Sequence, residues 1–311
     1  MAVYLLYDSA FLRHDTGVTH FETEKRLQCI LKALDTDENL SKRLQRLSPR
    51  PATEQDLARC HSTEMIRDIR RFVDHGGTHL DVDTPVSDES FDVACLAAGA
   101  AITAVDAVMT GEGGRAFALL RPPGHHATPY KPMGFCLFNN AGIAARYAQA
   151  VHGLEKIMVV DWDVHHGNGT QDIFWTDDSV FFFSTHQSPH YPGTGARADI
   201  GDGKGTGFTL NVPLPGGTSG RAHRQAFGDA LKEIEGKFHP DLVIISAGFD
   251  SHRDDPLGNL MLEDADFAEM TGDVLRIADK HSRGRVVSLL EGGYNLNLLG
   301  NSVRSHLNAL L

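Results

Sequence analysis

Residues 156–169 read KIMVVDWDVHHGNG. A short apolar run is followed at once by acid, acid, histidine, histidine and two glycines. A run that is apolar at successive positions has no solvent face, so it predicts a strand buried on both sides, the habit of a parallel sheet. Ionisable and glycine-rich residues at its carboxyl end predict a loop that carries chemistry. Runs of the same kind recur at Val3–Tyr7, Ala116–Leu120, Val180–Phe183, Phe208–Val212, Leu242–Ser246 and Arg285–Leu290. Segments of helical period occur at Ser90–Met109, Asn139–Val151, Ser219–Lys237, Glu263–His281 and Leu296–Leu310. Ser219 and Asp264 read as helix starts and Gly236 as a stop. The alternation predicts one α/β domain over residues 1–311, with a mostly parallel central sheet of about eight strands and helices on both faces.

Composition narrows the function. The 311 residues include 29 Lys plus Arg against 41 Asp plus Glu, a formal charge of −12. That balance argues against a nucleic-acid partner, which needs clustered basic surface. Lys42–Arg50 reads as a short, solvated basic patch. The four cysteines, Cys29, Cys60, Cys95 and Cys136, are widely spaced. They signal neither a disulfide framework nor a thiolate zinc site, and they fit a reducing compartment. The N-terminal stretch MAVYLLYDSAFLRHD has no basic leader, and no apolar stretch is long enough to span a bilayer. The expectation is a soluble, cytoplasmic protein without a membrane partner. Histidine, at 17 residues, is over-represented and calls for a location.

Chemistry collects after the strands. Asp161, Asp163 and His165 alternate, so in extended backbone they share a face. Two carboxylates and an imidazole desolvated together call for a cation, and Asp250, in another strand-end loop, offers a further oxygen. Such a set leaves positions for water and substrate, as catalytic metals require. It suits Zn²⁺, and Fe²⁺, Co²⁺ or Mn²⁺ by ligand type. The competing reading is a hydrogen-bonded polar strand end. His125 and His126, after Pro122-Pro123-Gly124, read as paired acid/base groups rather than two exposed rings. Tyr294, after two glycines, offers a phenol to an oxyanion. Cys136, Trp162 and Phe181–Phe183 read as packing, and His166 as packing or carbonyl-bonding.

The stretches RPPGHHA (121–127), GFCLFNNAGIAARYA (134–148), VDWDVHHGNGTQ (160–171), FFFSTHQ (181–187), YPGTG (191–195), SAGFDSHRDDPLG (246–258) and EGGYN (291–295) together resemble the histone deacetylase superfamily, of the arginase/deacetylase fold. HHGNGTQ and GFD…DPLG most resemble its class II branch and bacterial relatives, acetylpolyamine amidohydrolases among them. The resemblance implies Zn²⁺, or Fe²⁺ or Co²⁺, on Asp163, His165 and Asp250. It implies His126 as general base and acid, and a protonated His125 held by Asp161. Tyr294 would bind the oxyanion. Gly134 and Phe135 would line an acyl tunnel with Tyr191 opposite, and Asp83 would grip substrate amides at the rim. Structural K⁺ is implied at Asp161, Asp163, His165, Ser184 and Thr185, and a second near Phe174, Asp177, Val180 and Phe208. Arg26 resembles an arginine of an internal channel. Asn168 stands where some relatives carry aspartate. Leu257 stands near a glutamate of polyamine-selective relatives, which favours an acylated lysine peptide or protein over an acetylated polyamine. The rivals are a binuclear manganese ureohydrolase and an inactive acyl-binding protein.

Overall fold

The computed structural model describes residues 3–110 and 114–311; Met1 and Ala2 of the N-terminal stretch lie outside them. Its strands are β1 (Val3–Leu6), β2 (Leu44–Leu47), β3 (His79–Asp81), β4 (Thr84–Pro85), β5 (Arg115–Ala118), β6 (Ile157–Asp161), β7 (Val180–Gln187), β8 (Thr209–Leu214), β9 (Leu242–Ala247) and β10 (Val286–Leu290). Eight of them form one sheet in the order β2-β1-β5-β10-β9-β6-β7-β8, and β3 pairs with β4 as a separate antiparallel hairpin. Every pairing in the large sheet is parallel. The runs expected to be strands are strands, with ends moved by a residue or more. All five residues of β6, all six of β9 and all five of β10 are buried, as a sheet covered on both faces demands.

The helices are α1 (Lys25–Thr36), α2 (Glu38–Arg43), α3 (Glu54–Leu57), α4 (Thr63–Asp74), α5 (Ser90–Met109), α6 (Asn140–His152), α7 (Asn168–Phe174), α8 (Gly220–Glu235), α9 (Asp264–His281) and α10 (Leu299–Leu310). One layer is the series α8, α9, α10, α1, each packed on the next; α4, α5, α6 and α7 make the other. Caps match the sequence reading. Asn139 Oδ1 accepts from Gly142 N at 2.8 Å and Ser219 Oγ from Ala222 N at 3.3 Å, each satisfying a free amide of a helix start.

Two expectations are corrected. Lys42–Arg50 is not merely solvated surface, because it contains the edge strand β2, parallel to β1. Of its four residues only Leu44 is fully buried, and one apolar anchor in four residues leaves no periodicity to read. The second concerns apolar length. Helix α5 has 20 residues and an apolar window of mean hydropathy 1.7, long and apolar enough to cross a membrane. In the fold 78% of that window is buried, against β1, β5, β10, α4 and α6. A helix covered all round has no polar face to keep.

The sheet order places the site. After β5 the chain passes to β6, leaving two positions that β9 and β10 fill later. The carboxyl ends of β5, β10, β9, β6 and β7 therefore stand side by side. The register aligns Ala118 with Leu289, Leu290 with Ala247, and Asp161 with both Ser246 and Ser184. In open α/β sheets such a row of strand ends is where a crevice forms.

Candidate active site

Asp163, His165 and Asp250 converge, with one ligand atom from each lying within 4.8 Å of the others. His165 Nδ1 is 3.0 Å from Asp163 Oδ1 and 3.2 Å from Asp250 Oδ2. The other oxygens are engaged: Gly292 N donates to Asp163 Oδ2 and Val164 N to Asp250 Oδ1, both at 2.8 Å. Asp250 Oδ2 is buried and out of line for a hydrogen bond. Burial pushes the Asp250 carboxyl up to about 7, and the charge of Asp163 adds to the push. Burial would lower His165, but its hydrogen bond to Asp163 and the charges of Asp163 and Asp250 raise it to about 10. The same lone pair that holds this proton suits a metal ion. A Cβ on Gly292 would strike both carboxylates, so glycine is required for the loop to close over them. An orphaned carboxylate oxygen, an imidazole nitrogen and a second carboxylate thus fit one divalent cation.

Asp161 is not part of that trio, contrary to the alternation read from the sequence. Strand β6 ends at Asp161, so the period of two lapses before Asp163. Its Oδ1 accepts from Asp163 N at 3.1 Å and its Oδ2 meets His125 Nδ1 at 2.9 Å.

The tandem histidines have equal burial and opposite partners. His125 and His126 are 3% and 4% exposed. Burial alone would depress both. For His125 the charges of Asp161 and Asp163 win, holding it well above the ordinary histidine range. His126 instead contacts the amide oxygen Asn168 Oδ1 at 2.8 Å. Burial, then the charges of His125 and His165, hold it well below that range. A neutral His126 with Nδ1–H donated to Asn168 leaves Nε2 as its free base.

Walls surround this floor. Gly134 and Phe135 both have positive φ, 57° and 69°. A Cβ at Gly134 would collide with the His126 ring, and strain at the non-glycine Phe135 is the kind that accompanies a functional site. Phe135 meets Tyr294 edge-on at 5.9 Å, and Tyr191 meets His126 edge-on at 5.1 Å. Phe135 N donates to Thr84 Oγ1 at 3.1 Å, which brings the β3–β4 turn with Asp83 beside Phe135. Burial, with the charge of nearby Asp83 adding to it, pushes the Tyr191 phenol well above the ordinary phenol range, so the phenol stays protonated. Burial likewise pushes Tyr294 well above the ordinary phenol range, so it remains a donor.

Several residues in the site carried no sequence assignment or, like Arg26 and His166, only a general one. Glu291 Oε2 accepts from Gly124 N at 2.7 Å and His125 N at 3.2 Å, fixing the histidine loop from the end of β10. Asp255 Oδ2 accepts from Tyr294 N at 2.7 Å and Asn295 N at 3.2 Å, fixing the tyrosine turn. Glu291 is an acid directly after a strand, the signal that singled out Asp161, whereas Asp255 lies eight residues beyond β9. Arg26, fully buried, donates Nε–H to Gly293 O at 2.7 Å, and its guanidinium lies 4.9 Å from the Tyr294 ring centroid. Glu22 ties Arg26 at 3.1 Å to Arg121 at 2.7 Å, joining the loops that carry Tyr294 and His125 through residues far apart in sequence. His190 stacks on His165 at 4.9 Å and 15°, and its Nε2 bonds Leu257 O at 2.8 Å. His61 bonds Thr128 O at 2.9 Å and accepts from Asn139 N at 2.8 Å; His166 bonds Thr194 and Gln171. The histidine surplus is thus partly a set of struts between loops, where the sequence suggested only surface or packing.

The histone deacetylase domain family matches residues 20–310, and the chain belongs to that family. "Histone deacetylase 14, chloroplastic" of Arabidopsis thaliana is 41% identical over 99% of this chain and 76% of its own length. "Histone deacetylase-like amidohydrolase" of Pseudomonas aeruginosa is 42% identical over 88% and 71%. "Polyamine deacetylase HDAC10" of Homo sapiens is 40% identical over 96% of this chain and 45% of its own length. The crystal structure of the HDA15 HD domain superposes with a TM-score of 0.92 at 36% identity, covering 99% of this chain and 88% of that one.

Proposed function

We propose that the protein hydrolyses N-acyl amines, with N-acetyl-lysine of proteins or peptides as substrate class, and that Asp163, His165 and Asp250 hold Zn²⁺. Bound there, the ion supplies Lewis-acid polarisation of the amide carbonyl and a more acidic water. His126 takes the water's proton at Nε2, the nitrogen that Asn168 leaves free, and passes it to the leaving amine. His125, paired with Asp161, keeps a positive charge beside the reaction. The Tyr294 phenol, kept protonated by burial, donates to the carbonyl oxygen as negative charge builds there. The products are a carboxylate and a free amine. The observation that carries the reading is the tandem pair: equal burial, one ring beside a carboxylate and one beside an amide, so that acid and base coexist at one pH.

Leu257 supports acyl-lysine, since it presents no charge to a polyamine. The likeness to a polyamine deacetylase and the acidic rim at Asp81 and Asp83 favour acetylpolyamine as the second reading. Structural K⁺ beside Asp161 and Ser184 is part of the proposal. It is supported by their register pairing across β6 and β7 and by the buried, unpartnered Thr185 Oγ1.

A turnover panel tests this: acetyl- and longer acyl-lysine peptides, acetylputrescine and simple amides, with metal analysis on the same batch. The expected result is acetyl-lysine turnover with one divalent ion per chain. Two ions per chain would point to the ureohydrolase, and tight inhibitor binding without turnover to the acyl-binding protein.

A further inference from the structure

Beside the tunnel mouth is a second cleft, of about 240 Å³. Helix α4 supplies its buried floor, Met65 and Ile69, and Phe72 on the same face. Leu80 of β3 and Tyr130 and Pro132 of the loop after β5 line it too, and His79 and Asp68 add two polar side chains. The cleft is open although most of its lining side chains are apolar: Phe72 is 40% and Tyr130 80% exposed. Its walls are pinned together. Lys131 Nζ meets Asp81 across it at 2.7 Å, and Ser62 N, at the start of α4, donates to Pro129 O at 2.9 Å. Its volume is below the roughly 300–1,000 Å³ of sites for drug-sized molecules, and suits a single large side chain.

The two segments that wall this cleft also build the mouth. Leu80 lies in the cleft and Asp83 at the rim, three residues apart, at most about 10 Å along the chain. Pro132 lies in the cleft and Gly134 in the tunnel, two residues apart. Asp68 lines the cleft, giving it the same acidic edge as the rim.

We propose that this cleft binds one leucine, methionine or aromatic side chain of the substrate, two to four residues from the acylated lysine. This rests on the deacylase reading above and deepens it. The substrate is then an extended peptide segment of a protein, since an acetylpolyamine has no apolar side chain to offer. A strand advances about 3.3 Å per residue, so a side chain three residues away spans the distance from rim to cleft.

The test uses the metal-loaded full chain and acetyl-lysine peptides carrying Phe, Leu or Ser at each of four positions on either side. One position should favour Phe or Leu over Ser by about tenfold in KM, the scale of burying such a side chain, with kcat within about twofold. Tyr130→Ser and Phe72→Ala should each erase most of that preference and leave acetyl-lysine amide, which lacks neighbours, unaffected. Tyr130 is exposed, so its variant keeps the fold, and acetyl-lysine amide turnover checks this. Peptide turnover indifferent to neighbours, or a preference that survives both variants, overturns the cleft and leaves the deacylase reading intact. Turnover of acetylputrescine but of no acyl-lysine peptide overturns both. A dimer seen by sedimentation and lost in Tyr130→Ser would give the cleft to a second copy and also overturn the proposal.

Discussion

Asn168→Asp places a carboxylate where His126 now meets an amide, and the protein contains its own reference for the outcome. His125 meets Asp161 at 2.9 Å and is held above the ordinary histidine range, while His126 meets Asn168 at 2.8 Å and lies below it. Such contact puts the charge centres about 4 Å apart, where unit charges attract by about 4 kcal/mol at an effective dielectric constant of 20. At 1.36 kcal/mol per pH unit that is an upper bound of about three pH units, and desolvation of the new carboxylate takes back part. The expected gain for His126 is one to three pH units. The free base is the working form, so a raised His126 needs higher pH to act. The acid limb of kcat/KM moves up by that amount, with the alkaline plateau within a few fold. The assay is kcat/KM for an acetyl-lysine peptide from pH 5 to 9 at constant metal loading. Superimposable acid limbs would refute the assignment of His126 as base.

Tyr294→Phe should lower kcat by about 10²–10³ while KM and inhibitor affinity stay within about threefold; an equal loss in binding would remove the oxyanion role. His190→Phe keeps a ring on His165 but releases the Leu257 carbonyl; losing that hydrogen bond should loosen the tunnel and raise kcat/KM for butyryl- relative to acetyl-lysine by roughly two- to tenfold, and an unchanged ratio counts against the strut. His223 is fully buried with no protein partner for either nitrogen among the described residues, and burial holds it down to about 4. Its unfolded value is about 6.5, so between pH 6.5 and 4 the unfolded chain binds the extra proton and stability falls as pH drops. The loss is about 1.4 kcal/mol per pH unit, or about 2 kcal/mol at pH 5. His223→Phe should lose less stability between pH 7 and 5 in urea titrations, and parallel losses in both proteins would sink the argument.

Much of this was legible along the chain. Runs such as Ile157–Val160 declare a doubly covered strand because they have no polar face, and the residues after each run declare the chemistry. His125, His126, Asp163, His165, Asp250 and Tyr294 were read that way, and they meet at one row of strand ends. Edge strand β2 was not legible, because one buried leucine makes no period. Helix α5 has the composition of a membrane span, and only its packing makes it a core helix.

What the sequence determined by itself is the parallel sheet and the set of reactive groups, because burial on two faces and ionisable strand ends leave local patterns. What only the tertiary structure decided is who partners whom. Strand β6 ends at Asp161, which breaks the alternation before Asp163; Glu291 and Asp255 became anchors of the loops that carry His125 and Tyr294, and Glu22 joined Arg26 to Arg121 across about a hundred residues of chain. Histidines that looked surplus became struts. These roles depend on distances of about 3 Å between residues far apart in sequence, and on the low dielectric of a closed interior, where an amide neighbour leaves an imidazole a base and a carboxylate neighbour keeps it an acid. Neither quantity exists until the strands are set side by side.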